Sequence, residues 1–302
     1  MRIYKFEDVD VCEMCNDKTD NHKILGQRLS QSQGYNPRNK TGISVSVKKC
    51  TNCGLIYSSP QPIPNNILDH YGIDPEEYSW KEGYFDYDPA YFARQITNAQ
   101  ELLGAKEGMR ALDIGAGLGK AMRSLQDKGF EVYGIEPSGQ FRARAIEWLN
   151  IPEERISLGS VEETEFPDNH FDFITCGAVF EHFYHPAAVL EKAMRWMKPG
   201  GIIQIEVPSA DHLVPKLINF YYKLRGTNYV THLSPMHAPF HLYEYTLESF
   251  RKCCDKLGMK LERHYYEVCE ILAGPSFLKP ALRKYMEWTN KGMQLTVYLR
   301  KP

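Results

Sequence analysis

The chain has 302 residues, of which 43% are hydrophobic and 25% charged, and its formal net charge is -2. This is the composition of an ordinary globular protein, and the length leaves room for one full core beside a smaller module. A net charge so close to zero gives the whole molecule no strong attraction to nucleic acid or to an anionic membrane. No apolar run approaches the roughly 18 residues that a membrane-spanning helix needs, so we expect no membrane insertion.

The first residues and the cysteine content bear on the compartment. The opening stretch MRIYKFEDVDVCEMC is acidic and polar, which is not the pattern of a signal peptide. We therefore expect a cytoplasmic protein. In that compartment the eight cysteines are more naturally thiols or metal ligands than disulfides.

Two C-x-x-C pairs lie near the start of the chain. Cys12 and Cys15 form the first pair, and Cys50 and Cys53 form the second after 34 intervening residues. Two such turns predict one closed four-thiolate zinc site, which is structural because it leaves no open position for a substrate. A redox-active pair is the alternative, but it would need a thioredoxin-like βαβ context that the sequence lacks.

The residues around the second pair suggest how the chain is divided. Residues 16–49 carry seven Lys and Arg against two Asp, which indicates either a solvated hairpin or a patch for a phosphate-bearing partner. The following SSPQPIPNN predicts a linker, and an aromatic, helical stretch comes next. We therefore predict three parts: a zinc-ribbon module at 1–60, a linker and helical cap at 61–104, and a main domain at 105–302.

A glycine-rich turn follows the first strand of the main domain. MRALDIGAGLGKAM places Asp113 near the end of a short apolar strand, and Gly115, Gly117 and Gly119 lead into a helix. The next strand, EVYGIEPS, ends in Glu136, 21 residues after Gly115. An acid at that distance suits the ribose diol of a nucleotide bound at the carboxyl ends of the strands.

The turn also indicates which nucleotide is bound. A dinucleotide site uses G-x-G-x-x-G to hold a pyrophosphate, whereas this chain has G-x-G-x-G preceded by Asp113. A carboxylate there repels a pyrophosphate and attracts an ammonium group. S-adenosylmethionine carries an amino group, a sulfonium and no phosphate, so the sequence predicts this cofactor rather than NAD.

Residues 109–207 resemble class I S-adenosylmethionine-dependent methyltransferases. The motifs are LDIGAGLG, GIEPS, LGSVEETEFPDNHFDFITCGAVFEHFYHP and WMKPGGIIQIEVP, in this order. The resemblance implies a Rossmann-like α/β fold with a seven-stranded sheet whose last strand is antiparallel. It also places Ser160, Val161 and Gly177 at the cofactor, with Ser160 where the family often carries an acid that contacts the adenine amino group.

The resemblance extends to the front of the chain. A four-cysteine module followed by CGLIYSSPQP and a methyltransferase core is similar to a group of bacterial zinc-ribbon methyltransferases. That group is associated with the modification of sugars, polysaccharides or secondary metabolites. The likeness implies a small-molecule acceptor such as a sugar or a nucleotide sugar.

The predicted elements alternate between strand and helix, which indicates a mainly parallel sheet. Residues 208–240 interrupt this alternation after the fifth strand, and an excursion there predicts a lid over the substrate pocket. The predicted strands are near 110–114, 131–135, 155–158, 171–176, 202–207, 259–267 and 294–300. The predicted helices are near 119–128, 138–149, 186–197 and 246–257.

Transfer to a hydroxyl needs a base, and histidine is the natural one near neutral pH. Six of the ten histidines fall between residues 182 and 241, where the acceptor should approach. His241 and His237 are the first candidates for the base, ahead of His182.

Three functions remain open at this point. The leading one is methyl transfer from S-adenosylmethionine to a small polar acceptor, most simply a hydroxyl of a sugar or sugar derivative. The first alternative is an RNA methyltransferase that grips RNA with its basic zinc ribbon, although the near-neutral net charge argues against a nucleic-acid partner. The second is a non-catalytic scaffold, against which the intact glycines and Glu136 argue.

Overall fold

The front of the chain forms two small β-sheets. A computed structural model describes residues 3–31, 42–65, 86–104, 106–271 and 275–302. Its first five strands are β1 (Tyr4–Glu7), β2 (Lys23–Leu29), β3 (Ser44–Lys49), β4 (Ile56–Ser59) and β5 (Gln61–Pro64). Strands β1 and β5 pair antiparallel, and β2, β3 and β4 form an antiparallel sheet.

A seven-stranded sheet forms the main part of the molecule, in the order β12-β13-β10-β9-β6-β7-β8. Strands β6 to β10 run parallel, whereas β13 is antiparallel to both of its neighbours. The predicted mixed α/β methyltransferase fold is therefore confirmed, including its antiparallel last strand. The strands are β6 (Arg110–Ile114), β7 (Glu131–Glu136), β8 (Ile156–Leu158), β9 (Phe171–Gly177), β10 (Met197–Pro208), β11 (Tyr243–Glu244), β12 (Lys260–Glu267) and β13 (Gln294–Arg300).

Helices connect these strands, and side-chain hydrogen bonds cap the start of two of the described α-helices. The Ser138 hydroxyl accepts a hydrogen bond from the Phe141 N–H, and Thr246 and Ser249 form a capping box. Among the described helices, none is long and apolar enough to cross a membrane. The α-helices are α1 (Ala93–Leu103), α2 (Lys120–Gln126), α3 (Gly139–Leu149), α4 (Pro186–Trp196), α5 (Leu213–Leu224), α6 (Leu247–Leu257) and α7 (Lys279–Trp288).

The segment predicted as a linker is a pair of buried strands instead. Ser58, Ser59 and Gln61 are almost fully buried in β4 and β5. The two prolines of β5 are tolerated because it pairs on one side only, with β1. Residues 66–85 of the predicted cap lie outside the described residues, and the rest of the cap includes α1.

The predicted lid region joins the front sheets to the main domain. After β10 it forms α5 and then returns to β11, which pairs with β4 and so becomes the fourth strand of the front sheet. Leu55 and Tyr57 of the module pack in the same apolar core as β9, β10 and β13. The apolar packing between the two parts is therefore continuous. That residues 1–60 are a separate module, and that residues 208–240 act as a lid, remain predictions.

Candidate active site and metal centre

A cavity of about 780 Å³ opens at the carboxyl ends of β6, β7 and β9. In a sheet of this kind the loops that follow the parallel strands surround the ligand. Seven of the eight residues that sequence reasoning assigned to the cofactor line this cavity. They are Asp113, Gly115, Gly117, Glu136, Ser160, Val161 and Gly177.

The three glycines of the first turn differ in what would surround a side chain at their positions. Gly115 has φ +74°, and a Cβ there would lie 2.5 Å from Val179 Cγ2, so only glycine fits. A Cβ on Gly117 would meet nothing within 4 Å. Gly119 does not line the cavity; its Cα instead packs against Ala145, on α3, and would place a Cβ 3.0 Å from that residue's Cβ. Of the three, Gly119 therefore serves helix packing.

Glu136 is held by the backbone at the end of β7. Its Oε2 accepts a hydrogen bond from the Gly117 N–H at 2.7 Å, and its Oε1 accepts one from the Ser138 N–H at 2.8 Å. Burial raises the pKa of this carboxyl to about 7, while the two backbone hydrogen bonds oppose that shift. Each oxygen can accept further hydrogen bonds, so a fixed carboxylate faces any ligand in the cavity.

Asp113 lies beside Glu136 at the end of β6. Its side chain is almost fully buried, and burial, followed by the nearby charge of Glu136, raises its pKa to about 7. A cationic group of a ligand would stabilise the ionised form of these two neighbouring carboxyls.

Two of the three candidate bases also reach the cavity. His182 and His241 both line it, and their rings make an edge-to-face contact with centroids 5.1 Å apart. The His182 Nδ1 donates a hydrogen bond to the Phe240 carbonyl at 3.2 Å. Burial lowers the pKa of His182 to about 4. His182 therefore holds in place the residue that precedes His241.

His241 has an acidic neighbour that sequence reasoning missed. Its Nε2 lies 3.6 Å from Oε1 of Glu181, whose side chain is 1% exposed. Burial raises the pKa of Glu181 to about 8 and lowers that of His241 to about 3. Glu181 immediately precedes His182 in FEHFYHP, so the signal in the sequence was an acid adjacent to a candidate histidine.

His237 does not reach the cavity. Its Nε2 accepts a hydrogen bond at 3.0 Å from Nη2 of Arg28, a buried residue of β2. Arg28 also donates from Nε to the Leu233 carbonyl at 2.8 Å. The structure therefore places His237 in the contact between the front sheet and the excursion, outside the cavity that His182 and His241 line.

The four cysteines of the C-x-x-C pairs meet in one cluster. Their sulfur atoms all lie within 4.8 Å of one another; Cys12 Sγ is 3.5 Å from Cys53 Sγ, and Cys15 Sγ is 3.6 Å from Cys50 Sγ. These separations exceed a disulfide bond of about 2.05 Å and approach the distance of about 3.8 Å between thiolates on one tetrahedral zinc ion. The Cys53 N–H also points to Cys50 Sγ at 3.5 Å. The donor set fits Zn²⁺.

A second group could bind a divalent cation. Glu181, His182 and His241 each bring one possible ligand atom within 4.8 Å of the others. His182 and His241 of this group line the cavity, so a cation there would compete with proton transfer by His241.

Comparison with known proteins gives the family. Residues 85–264 match the family model described as a methyltransferase domain. The chain belongs to this family. It is a class I S-adenosylmethionine-dependent methyltransferase domain.

Curated relatives cover part of the chain. A ubiquinone biosynthesis O-methyltransferase of Alkalilimnicola ehrlichii is 29% identical over 140 residues, which are 45% of this chain and 54% of the relative. A 2-methyl-6-phytyl-1,4-hydroquinone methyltransferase of Synechocystis is 30% identical over 141 residues, 46% of this chain and 41% of the relative. The chain thus spans about half the length of these relatives.

A solved structure of a SAM-dependent methyltransferase from Archaeoglobus fulgidus also matches. It is 20% identical, with a TM-score of 0.49, over 70% of this chain and 92% of that chain.

Proposed function

We propose that this methyltransferase transfers a methyl group to a hydroxyl of a small polar acceptor, a sugar or sugar derivative, with His241 as the general base. The observation that carries the proposal is His241 in the wall of the cofactor cavity, with Glu181 next to it. The His241 side chain is 25% exposed and Glu181 is buried behind it. The imidazole is neutral at pH 7 and so offers a lone pair to a proton, and the carboxyl behind it, once ionised, would raise its basicity.

The residues of the cavity divide into two roles. S-adenosylmethionine, when bound, supplies an activated methyl group. Asp113 would hold its ammonium group, Glu136 its ribose hydroxyls and Ser160 its adenine amino group. On the acceptor side, the hydroxyl oxygen would take the methyl group as its bond to the sulfonium breaks, and the hydroxyl proton would pass to His241. The pKa of His241 is about 3 in the ligand-free cavity, and ionisation of the adjacent Glu181, whose pKa is about 8, would raise it and stabilise the imidazolium.

The class of acceptor rests on two separate arguments. The relatives include a ubiquinone biosynthesis O-methyltransferase and a hydroquinone methyltransferase, which supports a hydroxyl as the attacking group. The sugar is proposed from the likeness of the whole chain to zinc-ribbon methyltransferases. A sugar hydroxyl is less acidic than a phenol, whose pKa is about 10, so it depends more on a base.

Replacing His241 tests the base. We expect His241→Asn to lower kcat by about 10²- to 10⁴-fold and to leave the affinity for S-adenosylhomocysteine nearly unchanged. His185→Asn is the matched control, because His185 is exposed and lies outside the cavity. The measurement is methyl transfer to a panel of glycosides and dihydroxybenzenes, beside calorimetric binding of S-adenosylhomocysteine.

Two results of that experiment, and one result of a chelator experiment on the parent, would change the proposal. A kcat within about threefold of the parent on the best acceptor would reject His241 as the base. Transfer to dihydroxybenzenes alone would replace the sugar by a phenol. Loss of activity in a chelator that leaves the four-cysteine site loaded, followed by recovery with Mg²⁺, would replace the base by a cation on Glu181, His182 and His241.

The two carboxyls of the donor site predict a pH dependence. Asp113 and Glu136 have folded pKa values of about 7, above their ordinary values of 3.8 and 4.5. Since a ligand with an ammonium group favours the ionised carboxyls, affinity for S-adenosylhomocysteine should rise about tenfold between pH 6 and pH 8. Titration calorimetry across this range measures it, and a flat profile would contradict the assigned contact.

The stability of the ligand-free protein should change in the opposite direction. A carboxyl whose folded pKa exceeds its unfolded pKa binds its proton more tightly when folded. The contribution of Asp113 and Glu136 to the free energy of unfolding is therefore fully present below pH 4 and is lost as the pH rises through 7. Thermal denaturation of ligand-free Asp113→Asn should show a weaker loss of Tm over pH 5.5 to 7.5 than the parent.

We further propose that the four cysteines bind one structural Zn²⁺. The closeness of the four sulfur atoms supports this assignment. An RNA acceptor stays a prediction of the sequence, to be tested by the salt dependence of RNA binding.

A further inference from the structure

Helix α5 carries an apolar stripe on its solvent-facing side. Leu217, Phe220, Tyr221 and Leu224 follow the i, i+3, i+4, i+7 pattern of one helix face, and all four are exposed, Leu224 by 71%. Tyr222, on the opposite side, is buried. A surface helix normally turns such a stripe toward the core, so this helix presents apolar groups in both directions.

Helix α7 and the turn before it repeat this arrangement. Phe277, Ala281, Tyr285 and Trp288 recur at helical spacing and are exposed, with Phe277 at 78% and Trp288 at 82%. Met286, on the other side of the helix, is fully buried. The aromatic side chains therefore protrude from a helix that is already packed against the protein.

Helix α5 begins at the same end of the main sheet at which α7 ends. Strand β10 precedes α5, and β13 follows α7. The last residue of β10, Pro208, pairs with the first residue of β13, Gln294. The Leu213 N–H donates to the Lys291 carbonyl at 3.4 Å, which joins the start of α5 to the turn after α7. This is also the end at which the cofactor cavity opens, since Gly177 at the end of β9 pairs with Glu206.

Basic residues flank both stripes. Residues 211–225 and 275–291 together contain seven Lys and Arg against Asp211 and Glu287, in a chain whose net charge is -2. Arg225 lies over the Tyr221 ring, and Lys291 over the Tyr285 ring. The set is Lys216, Lys223, Arg225, Lys279, Arg283, Lys284 and Lys291.

We propose that α5 and α7, with the turn that precedes α7, form a docking surface for an anionic lipid bilayer. Protruding Trp, Tyr, Phe and Leu beside Lys and Arg are the residues of helices that lie in the interface plane, with their apolar side chains between headgroups. The positive local charge complements an anionic surface and opposes a twofold contact between two copies, which would bring like charges together. The docking does not depend on the proposed acceptor.

Vesicle binding of the full chain tests this surface. Sedimentation with vesicles of phosphatidylcholine and about 30% phosphatidylglycerol should retain the protein, and pure phosphatidylcholine should retain it at least tenfold less. Leu224→Ser with Trp288→Ser should weaken binding to the anionic vesicles about tenfold or more. Lys223→Gln with Lys284→Gln should weaken it about thirtyfold, and added salt should reduce binding by the parent.

Two controls separate docking from loss of fold. Ile24→Ser removes an exposed apolar side chain from the front sheet, and Lys128→Gln removes an exposed charge after α2; both should bind vesicles as the parent does. All variants should bind S-adenosylhomocysteine as the parent does, because none of the changed residues lines the cavity.

Other outcomes would overturn the proposal. They are no binding to anionic vesicles, equal binding by the stripe variants, and equal binding to both lipid mixtures. A dimer at micromolar concentration that becomes a monomer in Leu224→Ser with Trp288→Ser would assign the surface to a second copy instead. Retention by an acidic protein and not by vesicles would assign it to a protein partner.

Discussion

Glu136→Gln should weaken the binding of S-adenosylhomocysteine about 30- to 1000-fold, the largest effect of a single change in the donor site. The carboxylate is fixed by the Gly117 and Ser138 N–H groups, one on each oxygen. A glutamine keeps the shape, but its NH₂ group would face an N–H donor or a ribose hydroxyl that needs an acceptor. Each lost hydrogen bond to a charged group costs about 1.5–3 kcal/mol.

Glu131→Gln is the control for this change. Glu131 stands at the start of the same strand, on its surface, and pairs with Arg110 and Arg155 away from the cavity. Its substitution should leave affinity for S-adenosylhomocysteine within about twofold. Calorimetry on both variants measures the affinity for S-adenosylhomocysteine. If the Glu136→Gln variant binds it within threefold of the parent, Glu136 does not contact the ligand.

Most of the main sheet was predictable because its strands are local, apolar and separated by turns. The run ALDI and the run VYGIE each form a strand at the predicted place, and the glycine turn lies between β6 and α2. The start of β10 was placed five residues too late. The strand begins at Met197 and carries an irregularity before Ile202, so residues with turn composition, including Pro199, still belong to it.

Local patterns are poorer signals where strands depend on distant partners. Strand β5 contains two prolines, and composition alone indicates a linker, but β1 supplies its single partner across the chain. Strand β11 has two residues and exists because β4 lies beside it. No pattern within a short window contains information about such pairings.

The candidate base shows the same limit at the level of the site. His237 and His241 are equivalent in sequence terms, four residues apart in one loop. The structure separates them because Arg28, more than 200 residues earlier, hydrogen bonds to one, whereas Glu181 lies near the other. Spacing along the chain could nominate both histidines, and only the contacts distinguish them.

Cys50→Ser should abolish zinc binding and lower the apparent Tm by about 10 °C or more. Binding of structural zinc is worth about 10–16 kcal/mol in small modules, and most of that stabilises the fold. The loss should extend beyond the module, because the Thr246 hydroxyl donates to the Cys53 carbonyl at 2.6 Å and β4 pairs with β11. We therefore expect metal analysis to give one zinc per chain in the parent and close to none in the variant.

The two functions of the cavity should respond differently to this loss. Asp113 and Glu136 stand on β6 and β7, inside the main sheet, so affinity for S-adenosylhomocysteine should stay within about tenfold of the parent. His241 lies two residues before β11, so methyl transfer should fall far more than binding. Cys269→Ser is the control, since this exposed cysteine lies outside the cluster and should keep both zinc and Tm. A full zinc content in Cys50→Ser would disprove the four-cysteine site, and equal losses of binding and transfer would show that the module supports the whole sheet rather than the acceptor side of the cavity.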